Sequence, residues 1–102
     1  MNLMNNKAFE PSNLTLKEIK EIDKDNWFVY QGIPLYSYDE DNIGIDLMLS
    51  DEGFELQTNK FDGTYWCLTN VIDVDKEIDN LEKEEDLELY MKSYMKSVKE
   101  EN

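Results

Sequence analysis

Between Asp73 and Glu88 the chain places nine carboxylates: Asp73, Asp75, Glu77, Asp79, Glu82, Glu84, Glu85, Asp86 and Glu88. Lys76 and Lys83 are the only basic residues among them. A second run, from Asp39 to Glu55, holds seven acids and no lysine, three of them consecutive at Asp39, Glu40 and Asp41. Carboxylates at this density can do three kinds of chemistry. They can ligate a hard cation, share a proton as an acid–base pair, or present negative charge to a cationic partner.

The first is poorly served. Asp73, Asp75, Glu77 and Asp79, with Glu84 in the twelfth place, imitate the ligand spacing of a calcium loop. The sixth place, where the loop must turn sharply on glycine, is Ile78. A loop beginning at Asp39 has Gly44 in that place but lacks the acid at its twelfth, Ser50. The acid–base reading is equally thin, since among 24 acids some pair lies close by chance. No nucleophile elbow, phosphate-cradling glycine loop or metal-ligand constellation accompanies them. The expectation is a protein without catalytic residues, metal or cofactor.

The third kind fits the charge distribution. The chain carries a net charge of −14 with ten lysines, no arginine and no histidine. The two acidic runs each net −7, and the rest of the sequence balances eight acids with eight lysines. The imbalance is therefore concentrated. Solvated helix faces and turn formers explain some of it: acids favour helix starts, and Asp39, Asp41 and Asp51 suit turns. They do not explain Asp75/Asp79, Glu82/Asp86 and Glu84/Glu88, like charges four apart that repel on a helix. Without basic clusters, direct binding of DNA, RNA or an anionic membrane is not expected.

The elements that must carry these residues follow from periodicity. Residues 1–11 read as a loose arm ending at Pro11, and 12–102 as one α+β domain. Leu16, Ile19 and Ile22, with Thr15 and Glu18 as a capping box, predict a helix over 15–24. NWFVYQG (26–32) reads as a strand, LYSY (35–38) as a second, IGIDLMLS (43–50) and FELQT (54–58) as alternating strands, and TYWCLTNVI (64–72) as a long apolar one. Short turns between them imply an antiparallel meander of four or five strands. The C-terminal segment is helical and packs on one face of the sheet. Its apolar faces, Ile78/Leu81 and then Leu87, Tyr90, Met91, Tyr94, Met95 and Val98, do not align on one straight helix. Either the chain breaks near 84–86, with Asp75 capping the first piece and Asp86 the second, or the helix rolls from one contact to another. Cys67, alone in its apolar run, reads as a small core residue.

Duplex DNA carries one charge per about 1.7 Å of axis. Helical carboxylates three or four residues apart lie about 5–6 Å from one another, so a row of them can stand in for a phosphate track. Asp73 through Glu88 are the expected contacts, then Asp39, Glu40 and Asp41, with Tyr36 and Tyr38 as exposed stand-ins for stacked bases. In size and composition the chain resembles small acidic phage proteins that block host enzymes: anti-CRISPR proteins, anti-restriction proteins and uracil-DNA glycosylase inhibitors. The resemblance implies a non-enzymatic inhibitor in the bacterial cytoplasm, with a Cas nuclease, restriction or repair enzyme as partner. The Asn-, Lys-, Ile- and Tyr-rich usage suits a low-GC phage. The alternatives are an immunity protein or antitoxin against a basic nuclease toxin, and an interaction module, such as a homodimer, built on the Tyr90/Met91/Tyr94/Met95 stripe.

Overall fold

The computed structural model describes residues 13–101. The arm expected over 1–11 lies outside them. Four antiparallel strands form one sheet in the order β1-β2-β3-β4, a meander: β1 Tyr36–Glu40, β2 Ile43–Ser50, β3 Gly53–Phe61 and β4 Trp66–Asp73. Helix α1 (Leu16–Lys20) precedes the sheet; α2 (Asp75–Asn80) and α3 (Glu84–Glu100) follow it. The α+β architecture with a C-terminal helix against the sheet is the expected one. No helix among the described residues is long and apolar enough to cross a membrane.

Alternation sorts the strands into two faces. Ile43, Ile45, Leu47 and Leu49 of β2 sit opposite Lys60, Thr58, Leu56 and Phe54 of β3. That inner face meets Leu87, Met91, Met95 and Val98, a stripe at three- and four-residue spacing on α3, together with Leu16 and Ile19 of α1 and Ile78 of α2. The Tyr90/Met91/Tyr94/Met95 stripe is therefore core: both methionines are buried and both tyrosines half-buried against them. It is not a free dimer face.

Several expectations need correction. Residues 26–32 are not a strand; Lys24–Tyr30 is a short 3₁₀ segment with a kink at Asn26. Asp23 accepts hydrogen bonds from the Asp25 N–H and the Asn26 side chain, and this local capping overrides the aromatic β-propensity. The β1 edge is also taken. Asn13 receives the Ser37 N–H (2.9 Å) and donates to the Ser37 carbonyl (3.2 Å), while the Leu14 N–H bonds to Leu35. Helix α1 correspondingly ends at Lys20, and Ile22 lies beyond it.

The break before α3 falls at 81–83 rather than 84–86, with Leu81 extended. Lys20 ties it down by donating to the carbonyls of Asp79 (3.1 Å) and Leu81. Asp86 is the third residue of α3 rather than its N-cap, which is Lys83; its carboxylate closes the capping box by accepting the Lys83 N–H at 3.1 Å. At α2 the capping carboxylate is Asp73, which accepts the Asp75 N–H; Asp75 is already helical.

Cys67 is exposed, and so is nearly all of β4. Residues on β4 alternate like those of a buried strand, but α3 covers the other side of the sheet, over β1 and β2. Only Ile72 of β4 packs on the core.

Candidate acidic interface

Strand β2 divides the first acidic run between the two ends of the sheet. Asp41 and Asn42 form the β1–β2 turn in the left-handed conformation, at φ 51° and 66°. The Asp51–Glu52 turn lies at the far end, beside the start of β3 and the end of β4. There the two acidic runs meet. Glu55 is the cross-strand partner of Asp73. Glu52, Asp73, Asp75, Lys76 and Glu77 line one concavity, and Glu52, Gly53, Glu55 and Asp73 another beside it.

Asp75 anchors this end. Its Oδ1 accepts from Lys24 Nζ at 2.8 Å and from the Phe54 N–H at 3.0 Å. Lys24 also stands 4.9 Å over the Phe54 ring and 4.0 Å from Asp79. The Lys24 bond first, and the Phe54 N–H second, hold the Asp75 carboxyl below its ordinary pKa. Asp75 is thus a structural residue, not a free contact.

Other candidates are occupied as well. Glu84 accepts the Leu16 N–H at 2.6 Å and so fastens α3 to α1. Glu88 pairs with Lys92 at 3.0 Å, and Asp86 closes the α3 capping box. Glu77, Glu82 and Glu85 make no hydrogen bond or salt bridge among the described residues, and all three are exposed. They do not form one group: Glu77 faces the sheet end, and Glu82 lies with Lys17, Lys20 and Glu21 beside α1.

At the opposite end, Lys99 in the last turn of α3 bonds Glu40 and, at 2.6 Å, Asp41. Lys99 and then Tyr38 lower the Glu40 pKa, and Asp41 and Glu40 raise that of Lys99. One ammonium thus offsets half the charge of the two carboxylates at this turn. Tyr36 and Tyr38 are half-buried against the core rather than offered for stacking. Tyr38 donates to Glu40 at 2.7 Å, and burial, with Glu88 and Glu84 adding to it, raises the Tyr36 pKa.

Asp39 alone of its trio points to the outer face of the sheet, across from Gly44 and near Asp46. Partial enclosure first, and Asp46 second, raise its pKa. Asp46 accepts from Ser37 Oγ at 2.6 Å and from Asn59 Nδ2 at 3.4 Å. With Pro34, Gly44 and Trp66 they line a shallow concavity of about 430 Å³. Among the described residues no three His, Cys, Asp or Glu side chains are grouped to hold a metal ion.

The features that the sequence reading missed are the neutralising lysines and the exposed apolar strand. Lys99 lies 59 residues from Glu40, a pairing no local pattern announces. Trp66, Leu68 and Val71, in the strand read as long and apolar, are 52%, 56% and 43% exposed. Comparison with protein-family models, curated proteins and solved structures returned no match.

Proposed function

We propose that the chain is a non-enzymatic inhibitor that presents carboxylates in place of phosphates and occupies the basic cleft of a nucleic-acid-binding protein. The partner class is a Cas nuclease, restriction or repair enzyme, met in the cytoplasm of a bacterium infected by the encoding phage. One observation carries the reading: acids far apart in sequence converge on one end of the sheet, Glu55 against Asp73 with Glu52 and Glu77 beside them. Lys76 is the single cation lining that concavity, and Asp51 in the adjoining turn is exposed. The contact surface proposed is therefore Asp51, Glu52, Glu55, Asp73 and Glu77, with Glu82 and Glu85 as a lesser, separate set.

An immunity protein plugging a nuclease toxin is the second reading, favoured by the exposed strand β4, uncharged from Trp66 to Ile72, which suits a cognate protein contact. Capture from bacterial lysate on the immobilised chain, followed by elution with duplex DNA or RNA at fixed salt, separates the two. Mimicry requires captured nucleic-acid enzymes to be released by nucleic acid, and to be missed by a Glu52→Lys, Glu77→Lys variant. Partners that stay bound under excess nucleic acid overturn it.

A further inference from the structure

The two edges of the sheet are treated differently. Strand β1 is five residues long, carries Asp39 and Glu40, and has its backbone engaged by Asn13 and Leu14. Strand β4 is eight residues long, and no described residue hydrogen-bonds to its far side. From Thr64 to Ile72 it has no charge and no proline. Edge strands are ordinarily blunted by lysine, proline or an inward charge. The one irregularity is a register shift that skips Thr69, whose hydroxyl bonds the Thr58 carbonyl across the ladder. The outer face of β4 presents Trp66, Leu68 and Val71 opposite Phe61, Asn59 and Gln57. Trp66 leans across β3, stacking on Phe61 at 5.4 Å and coming within 3.6 Å of where a side chain on Gly44 would begin.

Charge identifies what pairs here. Asp62 stands before β4 and Asp73 ends it, with Glu55 across from Asp73. On the same outer face lie Asp39 and Asp46; the ion pairs of Lys24, Lys92 and Lys99 all go elsewhere. The only lysine on the four strands, Lys60, belongs to the inner face opposite Cys67. A second copy would set Asp62 beside Asp73 in antiparallel pairing, or like beside like in parallel pairing, between bodies of charge −14. Like charges directly opposed across strands destabilise the pair. We infer that the free edge of β4 takes an extended segment of a partner protein, apolar in alternate central positions and basic at both ends, which joins the sheet as a fifth strand. Asp62 lies level with Tyr65, whose carbonyl takes its N–H, so the seven residues Trp66–Ile72, at about 3.4 Å each, separate the two acidic ends and the basic residues of that segment stand about eight positions apart. Backbone pairing supplies affinity, and the Trp66–Leu68–Val71 strip with its acidic ends supplies selection. This edge contact shares Asp73 and Glu55 with the acidic surface proposed above but holds whether or not nucleic acid competes.

The test uses the full chain and three nine-residue peptides, read by hydrogen exchange of the β4 amides. The first alternates valine and threonine between terminal lysines, the second replaces those lysines with glutamates, and the third keeps the lysines but carries two central prolines. Protection of β4 by the first peptide alone is expected, lost in Leu68→Lys, whose exposed position and unchanged circular dichroism keep the fold out of the result. Equal protection by the first and third peptides means a charge contact without pairing and overturns the inference. So does equal protection by the first and second, or no protection at all. Concentration-dependent protection in the protein alone assigns the edge to a second copy and overturns it likewise. None of these outcomes bears on nucleic-acid competition, so the two proposals fail separately.

Discussion

Lys24 Nζ stands 2.8 Å from Asp75 Oδ1, joining the segment after α1 to the first turn of α2 across the end of the sheet. The same oxygen takes the Phe54 N–H, so one carboxylate holds three elements. Asp75→Ala leaves that N–H and the ammonium without their acceptor. The cost expected is about 1–2 kcal/mol, kept low because the ion pair is partly solvated. Thermal unfolding with and without Lys24→Met checks it: if the two residues act as a pair, the double variant loses less than the sum. The pH dependence has a definite sign. The folded pKa of Asp75 is depressed, so its contribution is present above the unfolded value of about 4 and is lost as pH falls through the folded value. Asp75→Ala should flatten the acid limb of the stability curve.

Gly53 makes room for this anchor. Its φ is +111°, and an added Cβ would stand 2.5 Å from Asp75 Oδ1. Gly53→Ala therefore strains the backbone and displaces the carboxylate together. A loss of roughly 1–3 kcal/mol is expected from the backbone term, and denaturant midpoints measure it. Asp75→Ala in the Gly53→Ala background should cost less than it does alone.

Asp39 has the opposite sign. Its folded pKa is raised, so its ionisation weakens the fold as pH climbs from the unfolded value to the folded one. Asp39→Asn is expected to raise the melting temperature at pH 7 and leave it nearly unchanged at pH 3. An equal gain at both pH values would assign the effect to something other than charge.

Thr58 is 2% exposed, and its hydroxyl oxygen makes no hydrogen bond within the core. Its cross-strand partners are Ile45 and Asn70. Thr58→Val keeps the shape and removes the stranded polar atom, so a gain of about 1 kcal/mol is expected. Unfolding in urea with an unchanged slope would register it as native-state stability.

The parts of this fold that sequence reading reached are those governed by local chemistry. Alternation located β2 and β3, the Thr15–Glu18 capping box located α1, and the two misaligned apolar faces left a break or a rolling helix, of which the chain takes the break between α2 and α3. The misses have a common cause in long-range placement. Whether an alternating apolar strand is buried depends on what covers it, and α3 lies over β1 and β2, not over β4. Likewise Asp39, Glu40 and Asp41 read as one acidic turn, yet Lys99 takes two of them and the strand pleat sends the third to the other face. Trp27 and Tyr30 promised a strand and instead repeat three apart on a 3₁₀ turn, because Asp23 caps the segment first.

Charge reversal is the decisive trial of the acidic surface, and the hydrogen bonds dictate which residues it must spare. Asp75, Glu84 and Asp86 hold backbone N–H groups of Phe54, Leu16 and Lys83, so reversing them would unfold termini rather than test an interface. Glu52, Glu77 and Glu85 are exposed and make no such bond. Glu52→Lys and Glu77→Lys together should leave the circular dichroism spectrum unchanged and abolish capture of a nucleic-acid-binding partner. Glu85→Lys, which does not line that concavity, should weaken capture far less. Wild-type affinity should also drop steeply as salt rises from 50 to 500 mM, because exposed charges are screened over about 8 Å at physiological ionic strength. Flat salt dependence with capture surviving the double reversal would move the partner's footprint off the sheet end, to the apolar strip of Trp66, Leu68 and Val71.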